Sequence, residues 1–433
     1  MQYLDKSIIK TFLSVLLFTS IFSHQSLEAK ALSFSKVHKM PKSVEKDYYI
    51  WRLLIQSSTT PIEARNIIKE ANHLNKKLRT SFKKKTGFNA PAVHGTKDIT
   101  PDHIWKNRSK ANKYFKKALA LLRQKKTKMA TSYFDAARKH YRKRHEIDKT
   151  LFWLYLSTKN NTYLKHLQAS HSPNIYTLIA ADTVKGKYPK TITERFRKRR
   201  GFGFDVKNPI TWAKVKGKMK HSSPSQISHL ANKYASQDSI GIYTYLKAEA
   251  SQHKKSYFPM PYRDAMKRMS AKRQALIYAI ARQESRFVPA SVSRSFALGM
   301  MQFMPFLVKH IAKQKGYKMD LDEMFNPYRA IEFADYHLNY LNKYLYHPLF
   351  VAYAYNAGIG FTRKHLRNRN NFRNGAYEPY MSMEMMKNVE AREYGKKVLA
   401  NYVIYLNKLG VTTRMSSLVK TLATPSVTDR FRR

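Results

Sequence analysis

The stretch Gln274–Phe287, which reads QALIYAIARQESRF, decides the fold class and contains the most informative residue of the chain. Its apolar residues recur in steps of three and four, for example from Ile277 to Ile280, which predicts an amphipathic α-helix. The same steps reach Glu284, so a carboxyl group falls on the apolar face near the C-terminal end of the helix. We expect burial to raise its pKa, and the negative end of the helix dipole acts in the same direction.

Glu284 is therefore a candidate general acid, because a carboxylic acid that stays protonated near neutral pH can donate a proton to a leaving group. The alternative is a structural ion pair with Arg282, Arg286 or a lysine elsewhere in the chain. Such ion pairs also shift the pKa of carboxyl groups. Position alone leaves both interpretations open.

The rest of the chain is also helical in pattern. From Val37 to Met260 the apolar residues follow the helical period, with short polar connectors. Tyr114, Tyr133 and Phe152 recur at equal spacing along the chain, which predicts stacked antiparallel helices. We predict an all-α protein, with an α-solenoid or superhelical N-terminal region that precedes an α-helical C-terminal domain.

The composition restricts the chemistry. Among 433 residues, 81 Lys and Arg face 28 Asp and Glu, and the net charge of +53 implies a polyanionic partner: nucleic acid, an anionic membrane or an acidic cell-wall polymer. The absence of cysteine excludes disulfides, zinc–cysteine sites and iron–sulfur clusters. The histidines form no His-Glu-x-x-His pair, so we expect neither a metal nor another cofactor.

The segment 1–31 resembles a secretory signal. Lys6 and Lys10 precede the short apolar run Thr11–Phe22, and Ala29–Ala31 supplies a small-x-small cleavage site. We expect cleavage after Ala31 and a periplasmic location. An uncleaved anchor is the alternative, although the run is short for a membrane span. Export argues against nucleic acid as the partner, and the sequence of the mature part predicts no membrane-spanning helix.

Three motif blocks follow one another in the C-terminal third of the chain. The first joins ARQESRF at 281–287 to SVSRSFALGMMQFMP at 291–305, the second is AYNAG at 354–358, and the third is EAREY at 390–394. Together they resemble the soluble lytic transglycosylases, a lysozyme-like family that cleaves murein. The resemblance covers Pro261–Leu409 and, more weakly, His171–Val184.

The chain departs from the family pattern at four positions. Phe296 stands where the family usually has Gly, Met300 replaces Leu, Ile359 replaces Pro and Ala391 replaces Thr. We expect Phe296 to alter the loop backbone or one sugar subsite, because Phe does not share the conformational freedom of Gly. None of the four changes removes the candidate acid.

The resemblance implies a reaction with a single catalytic carboxyl. Glu284 would protonate the glycosidic oxygen between N-acetylmuramic acid and N-acetylglucosamine, and then accept a proton from the muramyl 6-hydroxyl. That hydroxyl closes a 1,6-anhydro ring in place of attack by water. A nucleophile within the substrate has a high effective concentration, so a second carboxylate is not required.

The resemblance also implies supporting roles around Glu284. The residues expected at the substrate are Ser285, Met300, Met301, Gln302, Tyr355, Asn356, Ala357, Glu390 and Tyr394. Each has a plainer interpretation: Ser285 as a helix cap, the amides as partners of the loop backbone, Tyr355 as a core aromatic. Glu390 could form an ion pair with Arg392 or Lys397. Tyr394 is expected to direct its hydroxyl toward Glu284.

The predicted domains are a signal peptide at 1–31, a basic superhelical domain at 32–170, a helical linker domain at 171–255, a lysozyme-like catalytic domain at 256–412 and a mobile tail at 413–433. The implied partners are peptidoglycan glycan strands and other cell-wall remodelling proteins. Two alternatives stay open: a lysozyme-type hydrolase on the same fold, and a basic helical scaffold or nucleic-acid binder without activity.

Overall fold

The computed structural model describes residues 31–93, 102–199, 201 and 203–432. Within these ranges the chain consists of helices joined by turns, with isolated β-bridges in place of strands. The predicted all-α class is confirmed. The predicted signal peptide lies outside the described residues apart from Ala31. None of the helices within those ranges combines the length and the apolar character that a membrane crossing requires.

The helices of the N-terminal half are α1 (Phe34–His38), α2 (Val44–Leu54), α3 (Pro61–Ile67), α4 (Lys76–Thr86), α5 (Asp102–Arg123), α6 (Thr127–His140), α7 (Arg144–Thr158), α8 (Thr162–Gln168) and α9 (Ile175–Thr183). From α5 to α9 each helix packs against the next one along the chain. Sequential packing of this kind is the arrangement of an α-solenoid.

The aromatic repeat of these helices is present, but its buried row is shifted by one position from the prediction. The rings of Tyr114 and Tyr133 lie 6.0 Å apart, as the spacing predicts. Phe152 belongs instead to a different apolar core. The buried row consists of Phe115, Phe134 and Trp153, with centroid distances of 5.3 and 5.8 Å.

The helices of the C-terminal half are α10 (Pro209–Lys220), α11 (Pro224–Asn232), α12 (Ile240–Ala250), α13 (Ala271–Glu284), α14 (Pro305–Gln314), α15 (Pro327–Asn342), α16 (Pro348–Ala357), α17 (Ile359–Arg367), α18 (Tyr380–Met385), α19 (Val389–Lys408), α20 (Met415–Lys420) and α21 (Pro425–Thr428). Both α13 and α16 pack along α19. The three motif blocks lie on or beside these three helices, so the packing brings them together.

The largest apolar core crosses the predicted domain boundaries. It combines residues of 37–82 with residues of 258–422. Arg52 on α2 adds ion pairs to Asp320 at 2.6 Å and Asp322 at 2.8 Å. The N-terminal helices are therefore fixed directly to the C-terminal region, while the domain boundaries themselves stay a prediction.

Phe296 takes part in this contact. Its φ of +63° is the left-handed conformation that Gly adopts readily, so the expectation that Phe would avoid this conformation is wrong. The left-handed backbone costs about 1–2 kcal/mol. The ring is buried against Tyr48 and Trp51 of α2, with centroid distances of 6.0 and 5.7 Å. Aromatic burial of this size offsets the backbone cost.

The predicted mobile tail is corrected, because residues 413–432 form α20 and α21 and pack against the C-terminal region. Arg432 explains the anchoring. Its guanidinium is buried, forms an ion pair with Asp429 at 2.7 Å, and donates to the carbonyl oxygens of Phe372 and Leu422 at 2.9 and 2.8 Å. The loss of helical periodicity after residue 412 reflects short helices that are held by polar anchors.

Candidate functional site

The candidate acid stands at the last residue of a buried helix. Ser270 caps the start of α13 by accepting a hydrogen bond from the Arg273 N–H. The side chains from Ala275 to Ala281 are all buried, so the helix runs through the interior. Glu284 follows one turn later and is partly buried, at the point where the helix leaves the core. The apolar stripe therefore delivers a carboxyl group to the edge of the core.

A tyrosine hydroxyl is the hydrogen-bond partner of Glu284. Tyr394 on α19 is buried and donates to Glu284 Oε1 at 2.7 Å, as the sequence predicts. Burial raises the pKa of Glu284 to about 7, the Tyr394 hydrogen bond opposes part of this rise, and the negative charge of Glu390 adds to it. Glu284 is therefore still partly protonated at neutral pH.

The predicted alternative, an ion pair of Glu284 with a neighbouring arginine, is not formed. Arg282 donates to Asn401 Oδ1 at 2.7 Å and to the Tyr257 carbonyl at 2.8 Å. Arg286 pairs with Glu249 at 2.9 Å. Both guanidinium groups next to Glu284 in sequence are thus engaged elsewhere, which leaves its pKa free to rise.

The backbone turns sharply immediately after Glu284. Arg286 and Phe287 both have left-handed φ angles, +55° and +66°. Gly241 of α12 makes room for this turn, because a Cβ atom at position 241 would lie 2.1 Å from the Phe287 carbonyl oxygen. Backbone strain of this kind persists where the surrounding structure enforces it and is frequent at functional sites.

The loop from Ser291 to Phe303 is tied to both motif helices through its backbone. Ser285 Oγ donates to the Met300 carbonyl at 2.7 Å, and the Tyr355 hydroxyl donates to the Met301 carbonyl at 2.9 Å. Ser285 therefore binds the surroundings of Glu284, not Glu284 itself. The side chains of Met300 and Met301 are buried, so they contribute core packing and backbone carbonyls. Gly299 is required, because its Cβ would lie 1.9 Å from the Met324 carbonyl oxygen.

A cavity of about 400 Å³ lies beside this loop. Four of the predicted substrate residues line it: Gln302, Tyr355, Asn356 and Ala357. The Gln302 amide nitrogen donates to the Gly299 and Ser291 carbonyls at 2.8 and 3.2 Å, as the plainer interpretation proposed. Among the described residues, the Asn356 side chain makes no hydrogen bond within the protein.

Glu390 lies apart from the cavity. It is exposed near the start of α19, and within the described ranges its carboxylate forms no ion pair. Arg392, its predicted alternative partner, donates instead to Glu393 and to the Glu384 carbonyl at 3.1 and 3.0 Å. Glu390 acts on Glu284 through its charge alone.

Sequence reasoning missed three aromatic residues of the cavity: Phe306, His337 and Tyr340. The side chains of Phe306 and Tyr340 are 69% and 44% exposed, and large exposed apolar groups beside a cavity favour a binding role. Burial lowers the pKa of His337 to about 4, so its imidazole is uncharged at neutral pH. The signal in the sequence was the spacing of His337 and Tyr340, which places both on one face of α15.

Sequence reasoning also missed a buried charge cluster behind Tyr394. Lys396 on α19 lies 2.7 Å from Glu384 and 3.0 Å from Glu393. Tyr176 of α9 donates to Glu384 Oε1 at 2.6 Å. The burial of Glu384 opposes ionisation, but the surrounding cations outweigh it and lower the pKa of this carboxyl. Within the described residues, His, Asp and Glu form no group that could hold a metal ion.

Residues 261–377 match the family model described as the Transglycosylase SLT domain. This part of the chain is similar to the transglycosylase SLT domain family. The resemblance deduced from the motifs is therefore confirmed for the first two blocks, whereas the block at 390–394 follows the matched range.

Two curated relatives are similar to this chain over a longer stretch than the family model matches. The soluble lytic murein transglycosylase of Escherichia coli (strain K12) is 29% identical over 209 residues, which cover 46% of this chain and 31% of that protein. The protein of the same name from Salmonella typhimurium is 27% identical over 206 residues, with the same coverage. The chain spans about a third of the length of these relatives.

Solved structures of such enzymes align with most of the chain at low similarity. An inactive mutant of the lytic transglycosylase Slt from Pseudomonas aeruginosa has a TM-score of 0.46 and 16% identity, and covers 96% of this chain and 77% of its own. The 70 kDa soluble lytic transglycosylase of Escherichia coli gives 0.47 and 18%, with coverage of 92% and 64%.

Proposed function

We propose that this protein is a lytic transglycosylase that cleaves peptidoglycan, with Glu284 as the group that first gives and then takes the proton. The observation that carries the proposal is the state of Glu284. Its carboxyl has a pKa of about 7, a tyrosine hydroxyl as its partner and, among the described residues, no cation paired with it. The SLT domain match and the names of the curated relatives supply the reaction class and the murein substrate.

In the first step, protonated Glu284 donates its proton to the glycosidic oxygen between N-acetylmuramic acid and N-acetylglucosamine, and the bond from that oxygen to the anomeric carbon breaks. The acetamido oxygen of the substrate stabilises the anomeric carbon, as in substrate-assisted glycosidases. Glu284 is left as a carboxylate. The Tyr394 hydroxyl stabilises this charge through its 2.7 Å hydrogen bond.

In the second step, the carboxylate accepts the proton of the muramyl 6-hydroxyl while that oxygen bonds to the anomeric carbon. The product is a 1,6-anhydro-muramyl end, and Glu284 is again protonated. Water is neither consumed nor released. The attacking group belongs to the same sugar, and its high effective concentration removes the need for a second catalytic carboxylate.

The cavity supplies the groups that hold a sugar strand. The side chain of Asn356 keeps its hydrogen-bonding capacity for a sugar N-acetyl or hydroxyl group. Gln302 presents its amide oxygen, because its nitrogen is engaged by the loop backbone. Tyr340 and Phe306 provide apolar ring surface against which a pyranose ring can pack. We assign this cavity to glycan binding. Glu284 is not one of its lining residues, and the link between them is Tyr355, which lines the cavity and whose pKa is raised by burial and by the charge of Glu284.

The setting proposed for this reaction is the periplasm. The predicted signal at 1–31 would export the chain, and the stem peptides of murein carry free carboxylates that attract a protein with a net charge of +53. Other cell-wall remodelling proteins are the further partners that the resemblance implies.

The test is the digestion of purified sacculi with mass analysis of the released fragments. The protein should release fragments with anhydro ends, each one water lighter than the reducing-end fragments that a lysozyme-type hydrolase yields. Glu284→Gln should lower turnover at least a thousandfold, because amide nitrogen cannot donate a proton as a carboxylic acid does. Glu323→Gln, a carboxyl in the same domain that pairs with Arg329, is the matched control and should keep its activity.

Reducing ends in place of anhydro ends would assign the hydrolase alternative. Substantial turnover by Glu284→Gln would show that the carboxyl of Glu284 is not the proton donor of the reaction.

A further inference from the structure

The helical hairpin of α5 and α6 has a strongly basic, exposed face on α5. The helix α5 is 22 residues long, which corresponds to about 33 Å. Its apolar residues, among them Ala111, Phe115 and Leu122, are buried toward α6 and α7. The opposite side carries a row of exposed cations, which we call the lysine face: Lys110, Lys113, Lys116, Lys117 and Arg123.

Within the part of the chain that the structure describes, no carboxylate neutralises the charges of the lysine face. From His103 to Phe134 the sequence contains no Asp or Glu. Within the described residues, none of the five cations forms an ion pair, whereas Arg138 and Lys139 at the end of α6 share Asp135. Lys113 and Lys117 are four residues apart, a spacing at which like charges destabilise a helix. A solvated helix face usually mixes both signs, so this uniform sign favours an anionic partner.

The apolar side of the hairpin fixes it to the rest of the molecule. Phe134 stacks on Trp153 of α7 at 5.8 Å, and Trp153 lies 6.1 Å from the ring of Tyr377 at the end of the SLT domain. Met381 of α18 belongs to the same core. An object bound at the lysine face is therefore held at a fixed position relative to the catalytic region.

The lysine face does not have the character of a lipid-binding surface. The exposed residues between its cations are Asn112 and Ala120, and Gln124 follows them, so from Lys110 to Gln124 the face offers no large exposed apolar group for insertion. Met129, which is exposed, lies on the other helix of the hairpin. The long row of point charges suits a polymer with regularly spaced anions.

We propose that the lysine face is a docking surface for the carboxylates of murein stem peptides, separate from the cavity at Gln302 and Asn356. This proposal rests on the proposed murein substrate. Docking holds the sacculus against the protein between cleavage events and relieves the repulsion along α5. The hairpin should therefore gain protection from hydrogen exchange when it binds, because a ligand that binds the folded form stabilises it.

The experiment measures sedimentation of the full-length protein with purified sacculi. All proteins carry Glu284→Gln so that the sacculi stay intact. The test variant changes Lys110, Lys113, Lys116 and Lys117 to Gln. The matched control changes three exposed lysines of α10 and one that follows α11 to Gln: Lys214, Lys218, Lys220 and Lys233. Both variants lose the same net charge, so they separate a local surface from the general positive field.

We expect at least a tenfold increase in Kd for the test variant at physiological salt and a shallower salt dependence, against less than threefold for the control. Amidation of the stem-peptide carboxylates should weaken binding of the parent to the level of the test variant. Helical content measured by circular dichroism checks that both variants are folded, and exchange of residues 107–134 reports on docking directly.

Equal losses in the test and control variants would overturn the proposal, as would unchanged binding to amidated sacculi. Tighter binding of the parent to phosphatidylglycerol vesicles than to sacculi would assign the face to a membrane instead. The binding assay does not depend on turnover. A chain that docks but releases no anhydro fragments would contradict the proposed function alone.

Discussion

Two carboxyl groups of the same region, Glu284 and Glu384, have pKa values that are shifted in opposite directions. Each accepts a hydrogen bond from a buried tyrosine, Glu284 from Tyr394 at 2.7 Å and Glu384 from Tyr176 at 2.6 Å. Glu384 also has Lys396 at 2.7 Å, whereas Glu284 pairs with no cation of the described chain. Burial opposes ionisation at both positions. The cation decides the result: the pKa of Glu284 rises to about 7, and that of Glu384 falls.

The comparison shows what distinguishes a carboxyl whose pKa is raised from one whose pKa is lowered in this fold. Burial and a tyrosine partner are common to both and cannot make a proton donor by themselves. The decisive feature of Glu284 is that Arg282 and Arg286 are directed to other partners. The raised pKa of Glu284 thus depends on the engagement of the nearby cations by other partners.

The largest expected effect on stability follows from removing the cation of the structural pair. Lys396→Met should lower the free energy of unfolding at pH 7 by about 3–5 kcal/mol, because it leaves a buried carboxylate without its partner. Denaturant unfolding measures it. Lys387→Met is the control, since this lysine follows α18 and its side chain is exposed, and should change stability by less than about 0.5 kcal/mol. Similar losses in both variants would show that Glu384 does not depend on Lys396.

The opposite result is expected at the reactive carboxyl. The pKa of Glu284 is raised from 4.5 to about 7 on folding, so its ionisation destabilises the folded state as pH rises through this interval. Glu284→Gln should therefore raise the free energy of unfolding at pH 8 by about 3 kcal/mol and change little below pH 4.5. Unfolding of parent and variant at both pH values tests this. A variant that is less stable at pH 8 would contradict the raised pKa.

The two tyrosines provide a smaller, paired test. Tyr176→Phe removes the hydrogen bond donated to ionised Glu384 and the one accepted from Lys396 at 3.0 Å, and should cost about 1.5–3 kcal/mol at pH 7. Tyr394→Phe removes a hydrogen bond to a carboxyl that is partly protonated at pH 7, so we expect a cost of about 0.5–1.5 kcal/mol. Both changes delete one buried hydroxyl, and each is the control for the other in the same unfolding assay. The reverse order would be inconsistent with the difference in ionisation.

The smallest expected effects are shifts of the alkaline limb of kcat/KM, because the proposed mechanism requires protonated Glu284. Tyr394→Phe should move the limb to higher pH. The Tyr394 hydrogen bond stabilises the ionised form of Glu284, so its removal raises the pKa of Glu284. Glu390→Gln should move the limb to lower pH. The negative charge of Glu390 destabilises the ionised form of Glu284, so its removal lowers the pKa of Glu284. We expect shifts of less than about one pH unit in each case. If the alkaline limbs of both variants moved in the same direction, the opposite effects assigned to Tyr394 and Glu390 on the pKa of Glu284 would be wrong.

The sequence predicted those parts of the structure that depend on periodicity and local motif. The all-α class and the position of Glu284 at the end of its helix follow from steps of three and four along α13. These features depend on which face of a helix a residue occupies, and spacing determines that face. The approach of Tyr394 to Glu284 joins two distant parts of the chain, and its prediction came from the motif resemblance and not from periodicity.

Features that depend on long-range packing were not predictable in this way. In the sequence, Lys396 and Glu384 resemble ordinary surface charges on two helices. Only the packing of α9 against α19 buries them. Phe296 keeps a left-handed backbone because its ring packs against α2, which is distant from Phe296 in the sequence. The tail is anchored by Arg432 through hydrogen bonds to carbonyl groups, which leave no periodic pattern.

The most direct test of the central claim is a titration of the side-chain carboxyl of Glu284. Carbon-13 NMR of protein labelled at the glutamate carboxyl carbon, compared with the Glu284→Gln variant, identifies the resonance that disappears. We predict a midpoint near pH 7 for this resonance, while the carboxyl of Glu384 stays ionised to below pH 4.5. A Glu284 midpoint near 4.5 would contradict the account, because the carboxyl would then hold no proton to donate at neutral pH.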